Sequence, residues 1–365
     1  AVAATGATLW GPAAGVVAGL VYATGGFTAV GANSLSTDML LTMFVTLAML
    51  CYFRALGTGR GAWVVGMWAA FGLAFATKGP VALIPLLAIL PWHRRAPRAV
   101  KLANGAGLAI GAVLAFGWFA VEIFRHPDLL RYLVGEEVVA RVATNEFRRN
   151  GAWYVPLVMY LPVVTFGAGA WTFLALRPVV REGLWRPSAA WTRLKSAEPE
   201  GLLLLWIVVG FIIFSLAKSR LPLYMLPLLT PLSLLVSRGV ATWLRGPRPW
   251  RVIGILGAAL ATVIVVGKGV AAGLDSRHDM KPLAAVVLPM TSPRTRVVVI
   301  DKQHMYGLQF YLGGRLDRYY AGTHVNAIDP AHARAEAERR RLRGEAPETI
   351  TVETRTYARR RGEAE

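Results

Sequence analysis

Long apolar segments separated by short charged loops are the feature that most constrains this chain. About nine such segments occur, several of them near the 20 residues that an α-helix needs to span a bilayer. They cover residues 11–30, 39–56, 62–77, 79–92, 102–124, 153–176, 201–217, 221–237 and 252–272. Only 17% of the 365 residues are charged, which is below the usual quarter for a soluble protein. The pattern predicts an all-α polytopic membrane bundle.

Basic residues are concentrated in four loops that share one face of the membrane if every segment spans it. These loops contain Arg54 and Arg60; Arg94, Arg95, Arg98 and Lys101; Arg177, Arg181, Arg186, Arg193 and Lys195; and Arg238, Arg245, Arg248 and Arg251. Because Lys and Arg are enriched in cytoplasmic loops, this face is predicted to be cytoplasmic. The net charge of +19 is thereby attributed to membrane orientation, and nucleic acid is not an expected partner. We expect a multi-pass protein of the cell (inner) membrane.

The last 90 or so residues have a different pattern. Residues 296–300, 308–311 and 349–353 are predicted strands, and residues 330–343 a predicted helix. We therefore expect two domains, a membrane domain over residues 1–273 and a small soluble α/β domain over residues 274–365 on the extracytoplasmic face. His304 and His278, beside Asp279, are expected to be surface or packing residues. The single cysteine, Cys51, excludes an intrachain disulfide and is expected to be buried.

Polar residues at the ends of apolar segments are the candidates for chemistry. Lys78 stands between two apolar runs, in Thr77-Lys78-Gly79-Pro80, and an ammonium near hydrocarbon normally has a partner or a function. Asp38 opens another segment, where it suits a helix N-cap or a carboxylate that accepts a proton. Lys218 and Arg220 share a short turn ahead of Tyr224. All of these positions map to the face opposite the basic loops.

The long loop on that opposite face, residues 125–151, adds further charged candidates. Residues 129–141 look amphipathic, as is typical of a helix lying at a membrane surface, and they contain Arg131, Glu137 and Arg141. Arginine can grip phosphate through its forked donors. Four cations could converge on one anionic group near Asp38: Lys78, Arg141, Lys218 and Arg220. A lipid phosphate suits this set best, and no His, Cys and carboxylate cluster has the spacing of a metal site.

The motifs, in this order, resemble the membrane glycosyltransferases of the GT-C class, in particular the bacterial aminoarabinose transferases of lipid A and the related protein mannosyltransferases. The resembling residues are Thr37-Asp38-Met39 with Leu41 and Thr42; Thr77-Lys78-Gly79-Pro80-Val81; Arg131-Tyr132 with Glu137 and Arg141; Trp153-Tyr154 with Tyr160 and Pro162; and Phe214-Ser215-Leu216 with Lys218, Pro222, Tyr224 and Pro227. They extend from about residue 10 to residue 240.

The resemblance implies transfer of a sugar from a polyprenyl-phosphate donor to a lipid, protein or glycan acceptor on the outer face of the membrane. It implies that Asp38 is a catalytic acidic residue and that four residues line the cavity for the lipid phosphate or the sugar: Lys78, Arg141, Lys218 and Tyr224. Arg220 is added to this donor site from its place in the short turn, and Arg131 and Glu137 are expected to support it.

Two departures from the family pattern affect these expectations. About two helices, and a loop with the family's main catalytic aspartate, are expected to precede the first residue of this chain. Val138 stands where some relatives carry a histidine after the loop glutamate. The resemblance therefore leaves a divalent metal open, and no cofactor is assigned.

Two other functions fit parts of the pattern. A transporter or flippase of an anionic lipid or solute would also place cations beside a cavity, but transporters often show internal repeats and charges near the bilayer midplane. Here the unusual charges cluster at one face and no repeat is visible. A membrane anchor for the soluble tail would leave those cations without a role. The glycosyltransferase is therefore the leading hypothesis.

Overall fold

The structure, a computed structural model, describes residues 1–96, 100–126, 150, 152–174, 180, 183, 186–217, 219–243, 249–274, 279–300, 305–319 and 349–350. By residue contacts the chain separates into two compact units, residues 1–268 and 269–365. The first unit is a helical bundle, and the described part of the second is a small α/β arrangement. The predicted fold class is confirmed.

The helices of the bundle follow one another along the whole first unit. The first half contains α1 (Val2–Trp10), α2 (Pro12–Ala23), α3 (Gly26–Ala32), α4 (Asp38–Thr58), α5 (Gly61–Lys78), a 3₁₀ turn (Gly79–Leu83), α6 (Ile84–His93) and α7 (Gly105–Arg125). The second half contains a π-helical turn (Pro156–Tyr160), α8 (Leu161–Phe166), α9 (Pro187–Leu194), α10 (Pro199–Leu216), a 3₁₀ turn (Pro222–Met225), α11 (Leu226–Trp243) and α12 (Pro249–Gly273).

Six helical stretches within the described residues are long and apolar enough to cross a membrane, or seven if the bent pair α2 and α3 counts as one span. Two predicted segments differ from the structure. Residues 11–30 are split into α2 and α3, which meet at 64°, and residues 153–176 are interrupted by a turn at residues 167–170. Gly169 in that turn has a φ of +63°, a conformation that favours glycine. Apolar composition alone does not reveal such breaks.

The stretch Gly61–His93, one of the six, turns back on itself at Lys78. Lys78 ends α5 and pairs with Asp38, the first residue of α4. His93 ends α6, and its Nδ1 lies 2.9 Å from the hydroxyl of Tyr52 in the second half of α4. At 1.5 Å per residue, Asp38 and Tyr52 are roughly 21 Å apart along the helix. α6 therefore runs back along α4, and residues 62–77 and 79–92 are separate segments, as predicted.

These contacts define two ends of the bundle, which we name the Asp38 end and the His93 end. At the His93 end, the Trp92 indole donates to the backbone oxygen of Ser196 at 3.0 Å, and Arg54 Nε donates to Thr8 Oγ1 at 2.8 Å. Arg238, on α11, pairs there with Glu200 at the start of α10. The basic residues Arg54, Arg95, Lys195 and Arg238, taken from all four predicted cytoplasmic loops, thus lie at this end.

Large side chains fill the space between the helices of the bundle. Tyr52, Phe71 and Trp206 are each less than 2% exposed, and Cys51 is buried, as expected. Glycines bring α5 and α7 close together, because a Cβ added to Gly72 would lie only 2.4 Å from the backbone oxygen of Gly111. Close approach through small residues is typical of helices packed within a membrane.

The described part of the second unit contains a parallel three-stranded sheet of order β2–β1–β3. Its elements are α13 (Lys281–Val287), a 3₁₀ turn (Leu288–Met290), β1 (Arg296–Ile300), α14 (Tyr306–Tyr311), β2 (Leu316–Tyr319) and β3 (Thr349–Ile350). In register, Val297 pairs with Leu316 and Arg296 with Thr349. Leu283, Val297, Leu308 and Leu316 form its core. Strand predictions are confirmed at residues 296–300 and 349–350.

The predicted strand at residues 308–311 is wrong, because these residues lie in α14. β1 and β2 are parallel neighbours, and a parallel pair needs a crossover connection between its strands, usually a helix. Leu308 and Leu312, four residues apart, both turn their side chains into the core, which suits a helical spacing. The predicted helix at residues 330–343, residues 351–353 of the predicted third strand, His278 and His304 lie outside the described residues.

Candidate functional site

Three of the predicted site residues meet at the Asp38 end of the bundle. The carboxylate of Asp38, a residue only 5% exposed, pairs with the ammonium of Lys78. The same ammonium lies 4.6 Å from the centre of the Tyr224 ring, within the range of a cation–π contact. Residues from α4, α5 and the turn before α11 thus form one charged and aromatic cluster, although they are far apart in sequence.

The ends of two helices position the ion pair. Asp38 is the first residue of α4, and Thr37 occupies the N-cap, so the N-cap alternative for Asp38 is wrong. Lys78 is the last residue of α5. A carboxylate in the first turn and an ammonium in the last turn each interact favourably with the dipole of their helix. Each charge is therefore stabilised by the dipole of its own helix, in addition to the contact between the two side chains.

The two residues after Lys78 explain how the chain reverses there. Gly79 has φ +67° and ψ −146°, a backbone conformation that favours glycine. Nothing lies within 4 Å of a Cβ added to Gly79, so its backbone angles, and not crowding, require the residue type. Pro80 is the second residue of the 3₁₀ turn Gly79–Leu83, where its missing N–H costs nothing. The Lys78-Gly79-Pro80 motif is thus a chain reversal with a cation at its tip.

Aromatic residues hold Tyr224 in place. Tyr224 lies in the 3₁₀ turn Pro222–Met225, and its ring centre is 5.9 Å from that of Phe214 at the end of α10. Tyr160, from the Tyr160-Leu161-Pro162 motif, is fully buried, and the π-helical turn that it ends contacts the turn Pro222–Met225. The ring of Tyr224 is therefore fixed beneath the ammonium of Lys78 by packing from two other segments.

Arg220 lies two residues before the turn Pro222–Met225, and its guanidinium contacts backbone oxygens. It donates to the oxygens of Ala152 at 2.6 Å, Ser215 at 2.8 Å and Asn150 at 3.3 Å. In return, the Asn150 side-chain amide donates to the backbone oxygen of Arg220 at 3.0 Å. Arg220 is only 7% exposed. In this structure it joins the end of the long loop to the turn that carries Tyr224.

The remaining predicted site residues, Arg131, Glu137, Arg141 and Lys218, lie outside the described residues. Among the residues that the structure does describe, no three His, Cys, Asp or Glu side chains are grouped as a metal site would need.

A narrow apolar cleft lies directly beneath the Asp38–Lys78–Tyr224 cluster. It is lined by Leu41, Val45, Val81, Ile84, Pro85, Trp206, Phe214, Pro227 and Leu228. Leu41 is one helical turn below Asp38, Val81 follows Lys78 by three residues, and Phe214 stacks beside Tyr224. Charged groups at the top of an apolar cleft are a combination that suits an amphipathic ligand.

Sequence analysis missed Asn150, Phe214 and Trp206 as parts of this region. Phe214 stood at the start of the quoted Lys218–Tyr224 motif, so its position was a usable signal. Trp206 is one of many apolar residues on α10, and nothing in its sequence surroundings distinguishes the residue that lines the cleft.

Comparison with known proteins gives matches to one group of enzymes. Residues 1–123 match the family described as dolichyl-phosphate-mannose-protein mannosyltransferase. The arabinosyl transferase 1 for undecaprenyl phosphate-α-4-amino-4-deoxy-L-arabinose from Pseudomonas fluorescens is 29% identical over 269 residues, which cover 71% of this chain and 45% of that protein. The corresponding transferase from Edwardsiella ictaluri is 33% identical over 240 residues, covering 63% of this chain and 41% of that protein.

Two solved structures share the fold. The crystal structure of ArnT from Cupriavidus metallidurans bound to undecaprenyl phosphate has a TM-score of 0.66 and 19% identity, covering 93% of this chain and 72% of that one. The same protein in the apo state has a TM-score of 0.64. The chain spans less than half the length of the two curated relatives above. The predicted resemblance is confirmed, and with its candidate spans the chain is a multi-pass inner-membrane protein.

Proposed function

We propose that this chain, which is similar in sequence and fold to the aminoarabinose transferases, is part of an enzyme that transfers a sugar from a polyprenyl-phosphate carrier to an acceptor lipid, protein or glycan. The observation that carries the proposal is the Asp38–Lys78–Tyr224 cluster above the apolar cleft. The donors named for the relatives, built on undecaprenyl phosphate and 4-amino-4-deoxy-L-arabinose, are the first to test. Lipid A is the first acceptor to test.

The positive-inside rule supports a reaction on the outer face of the membrane. Arg54, Arg95, Lys195 and Arg238, one from each basic loop, lie at the His93 end of the bundle, which this rule assigns to the cytoplasm. The Asp38 end then opens to the extracytoplasmic side, where the carrier presents its sugar. As part of the proposal, residues 1–273 are the transferase domain and residues 274–365 a soluble domain on that same outer side.

Lys78 has the properties needed to bind the carrier phosphate. In the transfer, the bond between the anomeric carbon and the phosphate oxygen breaks, and a bond from that carbon to an acceptor oxygen forms. Negative charge grows on the departing phosphate, and a fixed cation beside it stabilises the transition state. The Lys78 side chain is 20% exposed, and its ammonium has three donors, so it can contact Asp38 and a phosphate oxygen together.

Asp38 is proposed to take the proton that the acceptor loses. In the structure the Asp38 carboxylate is paired with the Lys78 ammonium. When the carrier phosphate shares that ammonium, the carboxylate is free to contact the acceptor. Asp38 then lies beside the phosphate, where it can accept the proton of an acceptor hydroxyl. In the same proposal Arg141, Lys218 and Arg220 add positive charge for the donor, and Arg131 and Glu137 support them.

The cleft beneath the cluster has a volume of about 10 Å³, room for about one water molecule, and we propose that its apolar walls move apart to receive the first part of the polyprenyl chain. All of its lining side chains are apolar except for the indole N–H of Trp206. An apolar chain in this position would leave the carrier phosphate at the level of Lys78. The cleft and the cation would then bind the two ends of one amphipathic donor.

The test uses the full-length gene product in membranes supplied with the undecaprenyl-phosphate-linked aminoarabinose donor. Release of free undecaprenyl phosphate is measured for wild type, Lys78→Ala and Asp38→Asn. We expect Lys78→Ala to lower turnover about 100-fold or more, which is the scale of losing one charged transition-state contact. Asp38→Asn should lower kcat, because the amide removes the base and the charge that positions Lys78.

Matched controls are Lys101→Ala and Glu198→Gln, which change an exposed lysine and an exposed acid at the His93 end of the bundle. Both should turn the donor over like wild type. Donor turnover that survives Lys78→Ala in a folded protein would overturn the phosphate-binding role of Lys78. If wild type releases no undecaprenyl phosphate but moves a labelled anionic lipid between leaflets, the chain is part of a transporter or flippase and the proposal is wrong.

A further inference from the structure

A basic surface at the His93 end is separate from the site that the proposed function uses. It is built on α9, a short helix with Trp191 at its centre, and on the loop that follows α6. We call it the α9 surface and define it by Arg94, Arg95, Lys101, Arg186, Trp191 and Lys195. All six residues are exposed, and Trp191 is 57% exposed.

Direct contacts hold the two parts of the α9 surface together. The Trp92 indole N–H donates to the backbone oxygen of Ser196 at 3.0 Å, and Arg95 Nη1 approaches that of Lys195 at 3.5 Å. The end of α9 is also packed against α10, because a Cβ added to Gly201 would lie 2.6 Å from the oxygen of Ser196 and 3.0 Å from that of Arg193. The exposed basic side chains are therefore carried by backbone segments that contact one another.

The charge of this surface is strongly one-sided. In the described residues 93–96, 100–104 and 186–200, five cations are exposed, against a single exposed acid, Glu198. The other acid there, Glu200, is buried and pairs with Arg238. The Lys195 ammonium lies 4.4 Å from the centre of the Trp191 ring, so one aromatic group and one cation present a joint surface. Such a surface is complementary to anions.

The position of α9 indicates which anions can reach the surface. α9 ends at Leu194, five residues before Pro199, the first residue of α10, and α10 is one of the candidate membrane spans. α9 therefore lies where a span meets water, at the level of lipid headgroups. Exposed tryptophan is favoured at this level because its ring is apolar and its N–H is polar. Basic amphipathic helices with such a ring bind surfaces that contain anionic lipids.

We propose that the α9 surface binds the headgroups of anionic phospholipids in the leaflet at the His93 end. The phosphates are held by the exposed Arg and Lys side chains, and the Trp191 ring inserts between neighbouring headgroups. This contact does not involve Asp38, Lys78 or Tyr224 and does not depend on sugar transfer. A headgroup bound there bridges the loop after α6 to the start of α10, so bound lipid should stabilise the bundle.

The test measures the melting temperature of the purified full-length protein in detergent micelles after addition of phosphatidylglycerol or phosphatidylcholine. We expect phosphatidylglycerol to raise the wild-type melting temperature by several degrees and phosphatidylcholine to have little effect. The double variant Arg95→Gln/Lys195→Gln should lose most of this gain. The charge-preserving variant Arg95→Lys/Lys195→Arg should keep it, which separates loss of charge from damage to the fold.

Arg60→Gln is the matched control, because Arg60 is an exposed arginine at the same end but outside the α9 surface. It should retain the full gain with phosphatidylglycerol. Glycerol 1-phosphate at the same concentration tests whether the headgroup alone suffices, and we expect it to have little effect. An equal gain for wild type and the Gln double variant, an equal gain with phosphatidylcholine, or an equal gain with glycerol 1-phosphate would each overturn the proposal.

Discussion

The contact between Lys78 and the ring of Tyr224 makes a prediction about donor binding. The ammonium lies 4.6 Å from the ring centre, and such contacts contribute about 0.5–2 kcal/mol. Tyr224→Leu should therefore raise the donor KM by between about twofold and 30-fold. Tyr224→Phe keeps the ring and should raise KM less than the Leu variant does. Equal KM values for the two variants would show that the hydroxyl, and not the ring, carries the effect.

The variant Arg220→Lys distinguishes two roles of Arg220, a contact with the donor phosphate and the contacts with backbone oxygens. Arg220→Lys keeps the positive charge, so a direct contact with the donor phosphate would largely survive. It cannot keep three donors aimed at the backbone oxygens of Asn150, Ala152 and Ser215. Since a hydrogen bond from a charged group contributes about 1.5–3 kcal/mol, we expect amide exchange at residues 152–154 to quicken by about tenfold or more.

Hydrogen exchange read by mass spectrometry measures this effect, and Arg125→Lys, at an exposed arginine, is the control. Unchanged exchange together with a raised donor KM would support the direct donor contact of Arg220 that sequence analysis predicted.

At single positions, the sequence indicated which residues are unusual but not what each one contacts. Lys78 and Asp38 stood out because they stand at the edges of apolar runs on the face without the basic loops, and charges at or within membrane segments normally have a partner or a function. Their pairing with each other could not be derived, because it depends on which helices pack side by side at that end of the bundle. The backbone contacts of Arg220 could not be predicted for a related reason. The chain pattern does not show that the end of a distant loop, at Asn150, passes close enough to accept its donors.

Among the elements, the contact between α5 and α7 is the most sensitive to a single methyl group. A Cβ on Gly72 would lie 2.4 Å from the backbone oxygen of Gly111, so Gly72→Ala must push the helices apart. Gly117→Ala, on α7, meets only a Val113 methyl at 3.9 Å, and alanine favours a helix by about 1 kcal/mol over glycine. We expect the first change to lower the melting temperature and the second to keep or raise it. Shifts in the same direction would contradict this packing.

Segment boundaries show what apolar patterning can and cannot predict for an element. It identified α4, α7, α10 and α12 because each is a long run with charges only near its ends. It treated residues 11–30 and 153–176 as continuous, since glycine is tolerated within membrane helices and does not reveal a bend. In the second unit, residues 308–311 suited a strand locally, but the parallel pairing of β1 and β2 required a helix there.

For the whole molecule, the division of charge between the two ends of the bundle was predictable from the sequence. Successive short loops lie on alternate sides of the membrane. The basic residues of every second loop can therefore be added up to give the positive charge of one face. The same alternation placed Lys78, Asp38 and Tyr224 at one end before any contact was known. Which loops touch within an end depends on helix packing, and the contact of the Trp92 indole with Ser196 had no signal in the sequence.

The ion pair of Arg238 and Glu200 lets the two ends be tested independently. The Glu200 side chain is 9% exposed and lies 2.9 Å from Arg238, whose side chain is 41% exposed. Arg238→Ala leaves a buried carboxylate without its cation, while water reaches part of the vacated space. We therefore expect the free energy of unfolding to fall by about 1–2 kcal/mol.

Unfolding in detergent, titrated with a denaturing detergent, measures the stability, and the donor KM measures the Asp38 end. Glu200→Gln/Arg238→Ala removes the stranded charge and should recover part of the lost stability, while Arg60→Ala should cost little. The donor KM should stay at its wild-type value in all three variants, because the pair lies at the opposite end from Lys78. A double variant as unstable as Arg238→Ala would show that Arg238 stabilises the bundle by packing, for example against Trp10, whose ring centre is 6.0 Å from its guanidinium.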